Sequence, residues 1–122
     1  MLLVLVDTSS ILYGLENSKD VFEIAKSRFP GCNILVSKGV VAELSGLSSS
    51  ASKTAQLAKT ALQIIKLKKV RVDNITGSAD NWIFNKAIAE PSIAITNDTA
   101  LYKRLKSRKL SAFKLSKKGI LK

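Results

Sequence analysis

Five short apolar runs, each separated from the next by a stretch long enough for a helix, limit this chain to a small set of folds. Residues 1–6 (MLLVLV) are continuously apolar, residues 33–37 carry Ile34, Leu35 and Val36, and residues 92–96 carry Ile93, Ala94 and Ile95. Shorter strand candidates lie at 70–72 and 110–115. Runs this short, without polar alternation, fit strands covered on both faces. Between them, residues 21–29, 39–47, 53–68, 79–89 and 98–108 have the apolar spacing of amphipathic helices. The clearest is 53–68, with Ala55, Ala58, Leu62 and Ile65 on one stripe and lysines opposite. Residues 7–10, Asp-Thr-Ser-Ser, supply N-cap chemistry for a helix that continues over 11–15. Pro30-Gly31, Thr76-Gly77-Ser78 and Pro91 punctuate the pattern, and the serines of 45–52 predict a flexible loop overlapping a helix end.

Strands alternating with helices imply βαβ units and a parallel sheet, an α/β fold. Right-handed crossovers then put the carboxyl ends of the strands along one edge, where open α/β sheets bind their ligands. The 122 residues suit one domain, expected over 1–115, with 116–122 as a short basic tail.

Composition narrows the chemistry that this edge can carry. The chain has no histidine, so Ser-His-Asp and Cys-His pairs and a histidine general base are excluded. Its one cysteine, Cys32, permits no internal disulfide, suits a reducing cytoplasm, and reads as a small buried filler. Residues 1–6 lack a basic lead and Asp7 interrupts them early, so no signal peptide is expected, and no run is long enough for a bilayer. Lysine and arginine outnumber the acids 20 to 9, a net charge of +11, which favours a polyanionic partner, with nucleic acid first.

Against that basic background, four acids occupy telling places. Asp7 follows the first strand directly, and Asp98 follows the 92–96 strand by two residues. Glu43 lies one turn into the helix after the second strand, and Asp80 in the first turn of the 79–89 helix. Taken singly, Asp7, Asp80 and Asp98 read equally well as helix caps that suit the dipole. Glu43, among Val40, Val41, Ala42 and Leu44, is less well explained that way. In a parallel sheet all four can converge on one crevice. Four carboxylates there would raise one another's pKa values, a conflict that a hard divalent cation relieves.

These segments resemble the PIN-domain nucleases. LVLVDTSSIL, VSKGVVAELSGL, GSADNWI and IAITNDTALYKRL look like that family's four acidic motifs in order, from Leu2 to Leu115. The resemblance implies a three-layer α/β/α sandwich with a central parallel sheet, and cleavage of phosphodiester bonds, usually in RNA, with Mg²⁺ or Mn²⁺. It makes Asp7, Glu43, Asp80 and Asp98 the metal ligands or water activators. Thr8, Thr96 and Asn97 become groups that orient those carboxylates. The Glu43 helix, the serines, the lysine-rich helix and the basic end look most like the ribosomal-RNA-processing branch, with ribosomal precursor RNA as the implied substrate. A toxin ribonuclease of a toxin–antitoxin pair shares the motifs, and a non-catalytic RNA-binding ribosome-assembly module is a further reading. Relatives often carry an acid after the third motif and two residues past the fourth, where this chain has Asn81 and Ala100, so one metal rather than two is expected. PIN relatives often dimerise, which leaves a homodimer or a protein partner open; no membrane partner is implied.

After Asp98 the chain has nine basic residues and no acid. Lys103, Arg104, Lys106, Arg108 and Lys109 are the expected phosphate contacts, on a helix whose buried stripe is Leu101 and Leu105. Tyr13, Tyr102 and Trp82 read as packing residues, the last as core.

Overall fold

The computed structural model describes residues 2–122; Met1, where the first apolar run begins, lies outside the described residues. The elements are β1 (Leu3–Val6), α1 (Thr8–Glu16), α2 (Val21–Arg28), β2 (Asn33–Ser37), α3 (Lys38–Leu47), α4 (Lys53–Leu67), β3 (Arg71–Asp73), α5 (Ala79–Ala89), β4 (Ser92–Ile95), α6 (Thr99–Ser107) and β5 (Ala112–Phe113). The five strands form one sheet in the order β3-β2-β1-β4-β5, every pair parallel. α1 to α4 pack among themselves, and α5 packs on α6 and β4. Right-handed crossovers set those two groups on opposite faces, giving a three-layer α/β/α sandwich.

β1 is the middle strand because it is the most apolar, and Val4, Leu5 and Val6 are fully buried. Its register sets Leu3 beside both Asn33 and Ser92, and Val6 beside Ile95. The chain leaves β1 toward β2 on one side and returns to β4 on the other, so strand order reverses at β1. Such a reversal opens a crevice at the carboxyl edge, where ligands bind in these sheets. Asp7 stands at its mouth, its N–H donating to Ile95 O at 3.0 Å.

Helix starts follow local chemistry. Asp20, Ser37, Ser52, Ser78 and Asp98 each accept a hydrogen bond from a first-turn N–H. The α4 stripe is Ala55, Ala58, Ala61 and Ile65, with Leu62 half-buried. The small alanines let α4 lie close against α3 and α1. The serines of 48–52 bond to one another and to carbonyls in the last turn of α3.

Two expectations need correction. β5 covers only Ala112–Phe113 rather than 110–115. Residues 116–122 are not a free tail: Leu115 bridges Leu121 antiparallel, Lys114 and Lys122 exchange backbone hydrogen bonds, and Leu121 is buried. The apolar Ile120-Leu121 pair covers the end of the sheet, which the lysines around it disguise in sequence.

Candidate active site

Asp7 occupies the N-cap position of α1 yet caps no N–H. Its carboxylate is 3% exposed, and Oδ2 accepts from Ser9 Oγ at 2.6 Å and Thr96 Oγ1 at 2.8 Å. Burial pushes the Asp7 carboxyl up from its ordinary pKa, the two hydroxyls pull it part of the way back, and the charges of Asp80 and Glu43 push it up again. A buried acid with acidic neighbours and only hydroxyl partners is short of positive charge.

Glu43 projects from α3, a helix anchored by buried Val40 and Leu44 on its other face. Its Oε1 accepts from Thr8 Oγ1 at 2.6 Å, and its Oε2 from Ala79 N–H at 3.4 Å. It therefore caps the start of α5 from a neighbouring helix. The approach of α3 to that region depends on Gly39, where an added Cβ would lie 1.9 Å from Gly77 O. Asp80 follows in the first turn of α5, whose own cap is Ser78. Partial burial, then the charges of Asp98 and Glu43, push the Asp80 carboxyl up, while Arg104 draws it down.

Asp98 has two parts to its role. Its Oδ1 caps α6 through Leu101 N–H at 2.9 Å, and its own N–H donates to Thr96 Oγ1 at 3.1 Å. Thr96, fully buried, thus holds Asp7 and Asp98 in fixed relation. Asn97 touches none of the acids: its side chain bonds Ser10 and both backbone groups of Leu115, and its N–H donates to Ser9 Oγ at 3.0 Å. Ser9 is the residue that sequence reasoning missed. Its place two residues after Asp7 reads as capping, and only the fold shows the hydroxyl turned onto the carboxylate.

All four acids predicted from sequence therefore reach one edge, near enough for their charges to act on one another. Among the described residues, no group of three acid or cysteine side chains forms a ready-made ion cage. The donor set is nonetheless all oxygen, the chemistry that Mg²⁺ and Mn²⁺ favour, and Mg²⁺ keeps waters and substrate phosphates rather than demanding a cage built by protein alone. A cavity of about 470 Å³ lies along α5, but its acids, Asp73 and Glu90, are already paired with Lys86, and Asp73 also accepts from Trp82 Nε1. That pairing leaves little there for a metal to do. Asn81 lines this cavity, and Ala100 is exposed.

The basic run lies along α6. The Arg104 guanidinium stacks 3.6 Å from the Phe84 ring centre, with Arg108 at 5.7 Å, and Lys106 stands 5.6 Å from Tyr102. Lys103 and Lys109 are exposed. None of these five cations joins an ion pair among the described residues, so each can meet an outside anion.

A parallel sheet with an order reversal, and carboxylates gathered at its carboxyl edge, define an α/β protein with an acidic site at the switch point of the sheet. The chain belongs to the PIN-like domain family, whose model matches residues 4–118, nearly the whole sequence. The kinship with PIN-domain nucleases read from the four motifs thereby stands. The structure of the PIN domain endonuclease Utp24 is similar, with a TM-score of 0.73 at 22% identity over 93% of this chain and 85% of that one. A domain of a functionally unknown protein from Methanocaldococcus jannaschii DSM 2661 is similar too, with a TM-score of 0.70 at 19% identity over 95% and 92%. At these identities the likeness is one of fold. No curated protein matches the chain by sequence.

Proposed function

We propose that this protein is an endoribonuclease dependent on Mg²⁺ or Mn²⁺, acting on precursor ribosomal RNA. The observation that carries the reading is Asp7: a carboxylate pushed up first by its burial and further by the charges of Asp80 and Glu43, with no cation of the chain beside it. Asp7, Glu43, Asp80 and Asp98 would hold the metal, which when bound supplies charge for the phosphate and a readier water nucleophile. Thr8, Ser9 and Thr96 keep the carboxylates of Glu43 and Asp7 oriented. Asp80, exposed in the first turn of α5, stands open to an attacking water. The lysines and arginines of α6 hold the RNA backbone in register without reading its sequence. The ribosomal assignment rests on the basic end, the lysine-rich α4 and the Glu43 helix.

The test is cleavage of single-stranded RNA by purified protein with Mn²⁺. Cleavage is expected, and Asp7→Asn should abolish it; full activity in EDTA or in that variant overturns the reading. Asn81 and Ala100, where relatives carry acids, favour a second reading as a non-catalytic RNA-binding module of a ribosome-assembly complex. That reading predicts tight RNA binding indifferent to metal, with no cleavage.

A further inference from the structure

Tyr13 and Tyr102, far apart in sequence, line one cavity of about 440 Å³ together with Asn97, Lys114 and Lys122. Each tyrosine lies four residues, about one helical turn, beyond a residue of the acidic site: Tyr13 after Ser9 on α1, Tyr102 after Asp98 on α6. The cavity therefore opens one turn behind the carboxylates, between the two helices whose starts carry them. Both rings are only half-buried, and neither hydroxyl has a hydrogen-bond partner among the described residues. Lys114 Nζ sits 5.0 Å from the Tyr102 ring centre and donates to Thr99 Oγ1 at 3.2 Å, while Lys106 approaches the same ring from 5.6 Å. No acid lines the cavity.

We propose that this cavity is a nucleobase subsite: it takes one base of a single-stranded RNA against Tyr13 and Tyr102, while Lys114 and Lys106 hold the flanking phosphates. Apolar ring walls with cations at the rim match the two halves of a nucleotide, a flat π-face and an anionic backbone. Stacking accepts any base, so the site would fix the strand's position without choosing its sequence. One nucleotide seated there leaves the adjoining phosphate to reach the crevice of Asp7 and Asp98. The shape of the loop formed by 114–122, closed by the Leu115–Leu121 bridge, is then part of the RNA-binding surface. The inference rests on RNA being the substrate, but not on the chain's cutting it.

The experiment is equilibrium binding of a labelled oligouridylate in EDTA, where no metal-dependent cleavage occurs. Tyr13→Leu with Tyr102→Leu should weaken binding roughly 5- to 150-fold, the effect of losing one stacked base. Tyr102→Phe, which keeps the ring, should bind like wild type. Should the double variant unfold, wild-type protein still decides the matter: an abasic residue scanned along the oligomer should weaken binding at one position, since it removes a base and keeps every phosphate. Loss at one position, absent in a folded double variant, supports the subsite. Uniform affinity across the scan, a double variant binding within about twofold of wild type, or no RNA binding at all overturns it. Ring-dependent binding without cleavage in Mn²⁺ would retain the subsite and remove the nuclease, and Asp7-dependent cleavage indifferent to the tyrosines would do the reverse.

Discussion

Asp7 accepts both of its side-chain hydrogen bonds on one oxygen, Oδ2, from the hydroxyls of Ser9 and Thr96, and its buried carboxylate lies within reach of the charges of Asp80 and Glu43. Its pKa in the folded chain is raised above the unfolded value, so the ionised form opposes folding. That penalty is absent below the unfolded pKa, grows as pH rises from the unfolded value to the folded one, and is complete above the folded one. In EDTA at pH 7, Asp7→Asn is therefore expected to unfold at a higher temperature than wild type, and the gap should close as pH falls through the acidic range. Thermal unfolding across pH checks this; a gap independent of pH would mean that the charge costs nothing. Thr96→Val removes one of the two donors and should weaken Mn²⁺ binding about 10- to 100-fold, whereas Thr96→Ser keeps the hydroxyl and should bind nearly normally, as titration calorimetry would read. In sequence, the convergence of the four acids on one edge was legible because Asp7 and Asp98 follow strands and Glu43 and Asp80 lie early in helices, in a chain poor in acids. The part of Ser9 was not, since a hydroxyl near a helix start has capping as its ordinary explanation. Asp98 shows why caps and ligands resist separation: it is a cap through Oδ1, and the same position carries it to the crevice.

Helix periodicity and strand runs placed the elements well, because each face packs on something: 33–37 and 79–89 emerge as β2 and α5 without change. The ends of the chain were less legible. β5 is short, and Leu121 reads as part of a charged tail until Leu115 is seen beside it. Leu121→Ala should cost about 2–5 kcal/mol in denaturant unfolding if that leucine is core; a loss within the error of the measurement would make the segment ornamental. How α3 meets the loop before α5 is also a matter of space rather than pattern. Gly39 lies in helix, where alanine is ordinarily favoured, but the carbonyl of Gly77 occupies the place of its Cβ. Gly39→Ala should therefore destabilise the fold by about 1–3 kcal/mol and, by moving Asp80 from Glu43, reduce cleavage as well. A fully stable and active variant would show that the contact yields at no cost.

At the scale of the molecule, the sheet gathers acids at one edge while the rest of the chain is strongly basic, with a net charge of +11. That asymmetry sets a surface which attracts polyanions beside one spot where carboxylates repel one another. RNA affinity should accordingly fall by roughly 10³–10⁵ between about 50 and 200 mM salt if some 6–10 phosphates are held; a shallow dependence would exclude a phosphate-driven mode. The parallel sheet and its reversal at β1 explain why four residues spread over the chain from Asp7 to Asp98 can share a site at all. Their convergence is the claim on which the rest depends, and anomalous scattering from a crystal soaked in Mn²⁺ tests it most directly. A single peak among Asp7, Glu43, Asp80 and Asp98, lost in Asp7→Asn, is the result expected. No peak there, or the same peak in the variant, would contradict it.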